Sequence, residues 1–131
     1  MIGLDTNVLV RFIAQDDVKQ AALATKLISG LTRENPGFVS QVSLVELVWV
    51  MQSCYEASKT EVLAILDKIL RTQELVIENQ EVALQALLAF AATNADYSDC
   101  LIERSARNAG CEQTLSFDKN AVKFAGMTLL A

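Results

Sequence analysis

Four acidic residues stand where their neighbours do not call for an acid. Asp5 directly follows the apolar run Ile2-Gly3-Leu4. It should therefore end a strand, and in open parallel sheets the carboxyl ends of strands are where ligands bind. Glu46 is the single charge in Val-Ser-Leu-Val-Glu-Leu-Val-Trp-Val-Met, from Val42 to Met51. A carboxylate buried in such a run must be protonated, paired or bound to a cation. Asp99 precedes Cys100, Leu101 and Ile102, and helical spacing puts it on nearly the same face as Asp96 and Glu103. Asp118 follows Thr114-Leu115-Ser116-Phe117, a second strand end. Each also suits a commoner role. Asp5 can be an N-cap, Glu46 a capping-box partner of Ser43, Asp96 a helix-dipole acid, and Asp118 a turn residue before Lys119 and Asn120. Together, two strand-end acids and two acids in apolar helix starts can converge on one edge of one sheet. Carboxylates gathered there repel one another unless a divalent cation sits among them. Hard oxygen donors select Mg²⁺ or Mn²⁺ over zinc. The chemistry that fits is phosphodiester hydrolysis, in which such an ion activates water and stabilises the attacking and leaving oxygens.

The sequence contains no histidine. This excludes a Ser-His-Asp triad, a Cys-His dyad, an HExxH zinc site and any His general base. A net charge of −5 excludes a domain that binds polyanions by bulk attraction. With 131 residues, 52% apolar and a single proline, the expected product is one globular domain over 1–131. The three cysteines, Cys54, Cys100 and Cys111, form no CxxC pair and no even framework, which points to a reducing compartment. Cys54 and Cys100 sit in apolar runs and are expected in the core. No basic leader precedes Ile2, and the longest apolar run is short and carries Glu46. The expectation is a soluble cytoplasmic protein with no membrane association.

Those acids must be positioned by short strands alternating with helices. Ile2 to Leu4, Phe38-Val39, Leu75-Val76-Ile77, Gln113 to Phe117 and Met127 to Leu130 read as strands. Helices are expected from about Val8, from an Asp16-Asp17 cap, from a Ser43 cap, from the Ser58-to-Glu61 capping box, over about 80–92, over about 97–109, and from Lys119 to Phe124. Gly110 suits a helix C-terminus and Asn35-Pro36-Gly37 a turn. With no hairpin signal, the architecture is α/β, with a mainly parallel sheet and helices on both faces. Trp49, Val50 and Val48, and the row Leu23, Leu27 and Leu31, give more apolar surface than core-facing stripes need, and some of it can serve an interface.

Four segments in this order resemble the PIN-domain ribonucleases and, among them, the VapC toxins of toxin–antitoxin pairs. These are Asp5-Thr6-Asn7-Val8-Leu9, Ser43-Leu44-Val45-Glu46-Leu47, Ala95-Asp96-Tyr97-Ser98-Asp99 and Thr114-Leu115-Ser116-Phe117-Asp118. The resemblance implies a PIN-like three-layer α/β/α fold with a short, mainly parallel central sheet and many helices. It implies Asp5, Glu46, Asp99 and Asp118 as the catalytic, metal-binding acids, with Thr6, Asn7, Asp96 and Ser116 in support. It further implies Mg²⁺ or Mn²⁺ as cofactor, an RNA substrate cut to a 3′-hydroxyl and a 5′-phosphate, a homodimer, and inhibition by a cognate VapB-type antitoxin. An inhibitor of so acidic a pocket can insert an Arg and exclude the metal. Arg11, Arg104, Arg107 and Lys119 adjoin the motifs and are candidate RNA contacts. A catalytically silent PIN-like module that binds RNA or a partner is the alternative. A phosphotransferase of the haloacid dehalogenase type would need a second Asp where Asn7 stands. A receiver-type domain would need an Asp in the Val76-Ile77-Glu78-Asn79 segment.

Overall fold

The computed structural model describes residues 1–131. In chain order the elements are β1 (Ile2–Gly3), α1 (Thr6–Ala14), α2 (Val18–Ser29), β2 (Gly37–Val39), α3 (Gln41–Cys54), α4 (Lys59–Arg71), β3 (Leu75–Ile77), α5 (Gln80–Ala92), α6 (Tyr97–Asn108), β4 (Leu115–Ser116), α7 (Lys119–Phe124) and β5 (Thr128–Leu129). Seven helices and short strands, every pair of them parallel, make this an α/β fold of the kind the resemblance implies. The chain divides into two compact units, Met1–Glu78 and Asn79–Ala131.

In the first unit the strands run in the order β1-β2-β3, with Ile2 opposite Gly37 and Phe38 opposite Val76. Parallel neighbours require crossovers, and the pairs α1–α2 and α3–α4 supply them. At the centre of the sheet, a Cβ on Gly37 would stand 2.9–3.0 Å from side-chain carbons of Leu31, Leu4 and Leu75, so any larger residue would force those leucines to move. Leu9, Val39, Leu44, Leu47, Val62 and Leu66 form the core. Asp17 caps α2, accepting from the Gln20 N–H at 2.9 Å, and Ser58 with Glu61 forms the expected capping box of α4.

Two local expectations are corrected. The N-cap of α3 is Ser40, not Ser43: Ser40 has the extended backbone a cap needs at the end of β2, and its Oγ accepts from the Ser43 N–H at 3.1 Å. Ser43 is buried inside the first turn, so Glu46 lies beyond any capping box. Cys54 is exposed because it ends α3, past the buried stripe closed by Met51. Of the apolar residues in excess, Val48 and Leu31 are buried, whereas Trp49, Leu23 and Leu27 remain exposed.

In the second unit α5 and α6 pack along each other. Ala83 and Ala86 are fully buried and let the helices approach, and Phe90 meets Tyr97 edge-on at 5.9 Å between ring centroids. Burial pushes the Tyr97 phenol far above its ordinary range. Cys100 is buried as expected. Gly110, at φ +100°, follows the Ala109 C-cap and lets the Cys111 N–H reach back to the Ala106 carbonyl at 3.0 Å. The strands β4 and β5 pair with each other in a two-stranded sheet, Leu115 opposite Thr128. No helix is long and apolar enough to cross a membrane.

Candidate functional site

Asp5 stands one residue beyond Leu4, which continues β1, and it is the N-cap of α1. Its Oδ1 accepts from the Thr6 N–H at 2.7 Å. Thr6 is buried, and its hydroxyl donates to Glu46 Oε1, also at 2.7 Å. One residue thus fixes two carboxylates, one through its backbone and one through its side chain. Asp5 Oδ2 and Glu46 Oε2 are left without protein partners. Glu46 is not buried in its apolar run: Leu44, Leu47 and Val48 take the inward face of α3, and Glu46 projects on the outward one. The desolvation argument for a cation at Glu46 therefore does not hold, and what marks the residue is its hydrogen bond to Thr6. Thr6, which the resemblance implies only as a supporting residue, serves Asp5 through its N–H and Glu46 through its hydroxyl.

Asp5, Thr6, Asn7, Glu46, Trp49 and Arg11 help to line an open hollow of about 710 Å³. Arg11 is tethered at its rim. Its Nε donates to Gln20 Oε1 at 2.7 Å, and Nη1 lies 3.3 Å from Asp16 and 3.5 Å from the Tyr55 hydroxyl. The Tyr55 hydroxyl donates to Asp16 Oδ2 at 2.7 Å. That bond, more than the Arg11 charge, lowers the Asp16 carboxyl below its usual range, and it raises the Tyr55 phenol. No local motif marks this cluster, because its members come from α1, the α1–α2 loop, the start of α2 and the end of α3.

In the second unit Asp96 is the N-cap of α6 but makes no capping hydrogen bond with its side chain. Asp99, in the first turn, is half-buried. Its carboxyl is raised above the usual range by burial first, then by the negative charges of Asp96 and Asp118. Asp118 caps α7 through Oδ1, accepting from the Asn120 and Ala121 N–H groups at 2.8 and 3.2 Å, while its own N–H donates to Ser116 Oγ at 2.9 Å. Glu103, expected on the Asp99 face, is only 5% exposed and is engaged by arginines. Its Oε2 accepts from Arg107 Nε at 3.2 Å, and its Oε1 has Arg104 Nε as an ionic neighbour at 3.5 Å without a hydrogen bond. Lys119 is exposed at the first residue of α7.

Within neither unit do three Asp, Glu or Cys side chains form a ready-made metal cage. Asp5 and Glu46 belong to the first unit and Asp99 and Asp118 to the second. Their donors are all carboxylate oxygens, a set that fits a hard divalent ion. The PIN domain family model matches residues 2–127, running through both units. The chain belongs to the PIN domain family. Among curated proteins, this PIN chain is similar to a VapC ribonuclease of Aquifex aeolicus (strain VF5). The two are 21% identical over 126 residues, covering 96% of this chain and 93% of that protein.

Proposed function

We propose that this PIN protein is a metal-dependent endoribonuclease of the VapC toxin kind, with Asp5, Glu46, Asp99 and Asp118 as the catalytic acids holding Mg²⁺ or Mn²⁺. On this reading residues 1–131 act as a single domain. The observation that carries it is Thr6, which holds Asp5 and Glu46 through 2.7 Å hydrogen bonds and leaves each a free oxygen. The similarity to a VapC ribonuclease over 96% of the chain adds the substrate class, RNA.

When bound, the ion supplies the Lewis acidity that makes water a nucleophile at neutral pH and offsets charge on the phosphoryl oxygens. The chain's own groups do the rest. Thr6 sets the orientation of Glu46 by donating to Oε1 and that of Asp5 through its N–H. Ser116 holds the Asp118 backbone. Asp99 gains most from a cation, since its charge is opposed by burial and by Asp96 and Asp118. Asp96 keeps its carboxylate out of the helix cap and so adds to the negative field there. Asn7, exposed at the rim of the hollow, can donate its amide to a phosphate oxygen. Arg11, Arg104, Arg107 and Lys119 are the cations available for the RNA backbone, and all but Lys119 are already ion-paired within the chain.

The further partners proposed are a second copy and a VapB-type antitoxin in the cytoplasm. Leu23 and Leu27, exposed on α2, are the apolar row available to them. The deciding experiment is cleavage of end-labelled RNA with Mg²⁺, with Mn²⁺ and with excess EDTA after exhaustive metal removal. Cleavage should need the ion and yield 5′-phosphate ends. Undiminished activity in EDTA overturns the reading, and RNA binding with no cleavage under any metal leaves the silent module.

A further inference from the structure

Helix α3 has two faces. Leu44, Leu47, Val48 and Met51 fill the core, while Val42, Val45, Glu46 and Trp49 follow one another outward at helical spacing. Trp49 is 63% exposed although it is the largest apolar side chain in the molecule. It lies one turn beyond Glu46 on nearly the same face, and it lines the hollow that also holds Asp5, Thr6, Asn7 and Arg11. The volume of about 710 Å³ is in the range that takes a ligand of nucleotide size.

Two occupants could cover such an indole. A second copy packed here by a two-fold axis would bring two Asp5 and two Glu46 carboxylates into an apolar contact, with the nearby Arg11 already committed to Asp16. A nucleobase carries no charge and offers a flat face to the ring. The chain's net charge of −5 gives RNA no general attraction, so affinity must come from specific contacts of this kind. We propose that Trp49 is a stacking platform for an unpaired base beside the scissile phosphate. This rests on the nuclease reading of the same hollow. Only a base freed from a duplex presents both faces, so paired RNA is selected against.

Trp49 is the sole tryptophan, so intrinsic fluorescence reports on this residue alone. The protein is titrated with a single-stranded RNA of about eight nucleotides, within the usual site size, once with Ca²⁺ replacing Mg²⁺ and once in EDTA. Saturable quenching in either condition is expected, with the same sequence as a duplex binding roughly tenfold more weakly. By fluorescence anisotropy of a labelled oligonucleotide, Trp49→Ala should bind roughly tenfold more weakly and Trp49→Phe within about threefold, since any aromatic face can stack. RNA cleavage without quenching in either condition overturns the inference and leaves the nuclease reading standing. Quenching without cleavage under any metal overturns the nuclease reading and, with it, a base placed beside a scissile phosphate, leaving Trp49 only as an RNA contact. If RNA-free emission instead shifts to the blue as protein concentration rises, and Trp49→Ala abolishes self-association, a second copy covers the indole and the inference fails.

Discussion

Glu46 and Asp5 depend on Thr6 in different ways, and substitutions separate them. Glu46→Gln keeps an oxygen that can accept from the Thr6 hydroxyl, and the residue is exposed, so stability should change by no more than about 0.5 kcal/mol in urea unfolding. RNA cleavage should fall by about a hundredfold or more, because a ligand matters at least as much as the groups that orient it. Thr6→Val leaves the Asp5 bond to the backbone N–H intact and removes only the donor to Glu46. Cleavage should drop by about 10–100-fold, and Thr6→Ser should restore most of it. Equal loss in the Val and Ser variants would show that the hydroxyl is not the orienting group. Asp5, Glu46, Asp99 and Asp118 were all legible as odd acids in the sequence, but the reason given for Glu46 was not the right one. An apolar run reads as buried until the helix phase is known, and here the phase turns Glu46 outward.

The start of α3 shows why element boundaries resist sequence reading. Ser40 and Ser43 both offer a hydroxyl before an apolar run, and only the end of β2 decides that Ser40 takes the cap. Ser40→Ala should cost about 1 kcal/mol in chemical denaturation, like the loss of other helix caps. Gly37→Ala should cost about 1–3 kcal/mol, since its methyl would meet Leu31, Leu4 and Leu75 at 2.9–3.0 Å within a packed core. The capping box at Ser58 was readable because both partners lie within one turn. The Asp16–Tyr55 bond was not, because it joins the α1–α2 loop to the end of α3. That bond makes a pH prediction. Asp16 is lowered in the folded protein, chiefly by Tyr55, so its contribution is whole above the ordinary carboxylate value of about 3.9 and is lost as pH falls through the lowered one. Tyr55 is raised, chiefly by Asp16, so its contribution is whole below about pH 10 and is lost as pH rises through the raised value. The difference in Tm between the wild type and Tyr55→Phe should therefore be flat from about pH 5 to 9 and shrink at both extremes. A difference that grew toward acid would show that the bond does not stabilise the fold.

At the scale of the whole molecule, the family model runs over residues 2–127 while the candidate acids are divided two and two between the units. A sequence order of strand end, helix, helix and strand end carries that pattern over the length of the chain, which is why four short motifs were more telling than any one. Partners are harder to read, because a surplus of apolar residues does not say which will be exposed: Val48 and Leu31 went into the core, and Leu23, Leu27 and Trp49 did not. If the α2 row serves self-association, light scattering should give about twice the chain mass of 14.3 kDa, and Leu23→Lys with Leu27→Lys should reduce it to the monomer without unfolding the protein, since neither side chain is buried. A strictly monomeric wild type at tens of micromolar would remove the dimer from the proposal and leave the nuclease site untouched. The toxin reading has its own test. Expression of the wild type alone in the native host should arrest growth, whereas Asp5→Asn, which keeps an oxygen for the Thr6 N–H and loses the charge, should not. If both were equally harmless, RNA cleavage in vitro would still argue for the nuclease, but the protein's work in the cell would have to be something other than arrest.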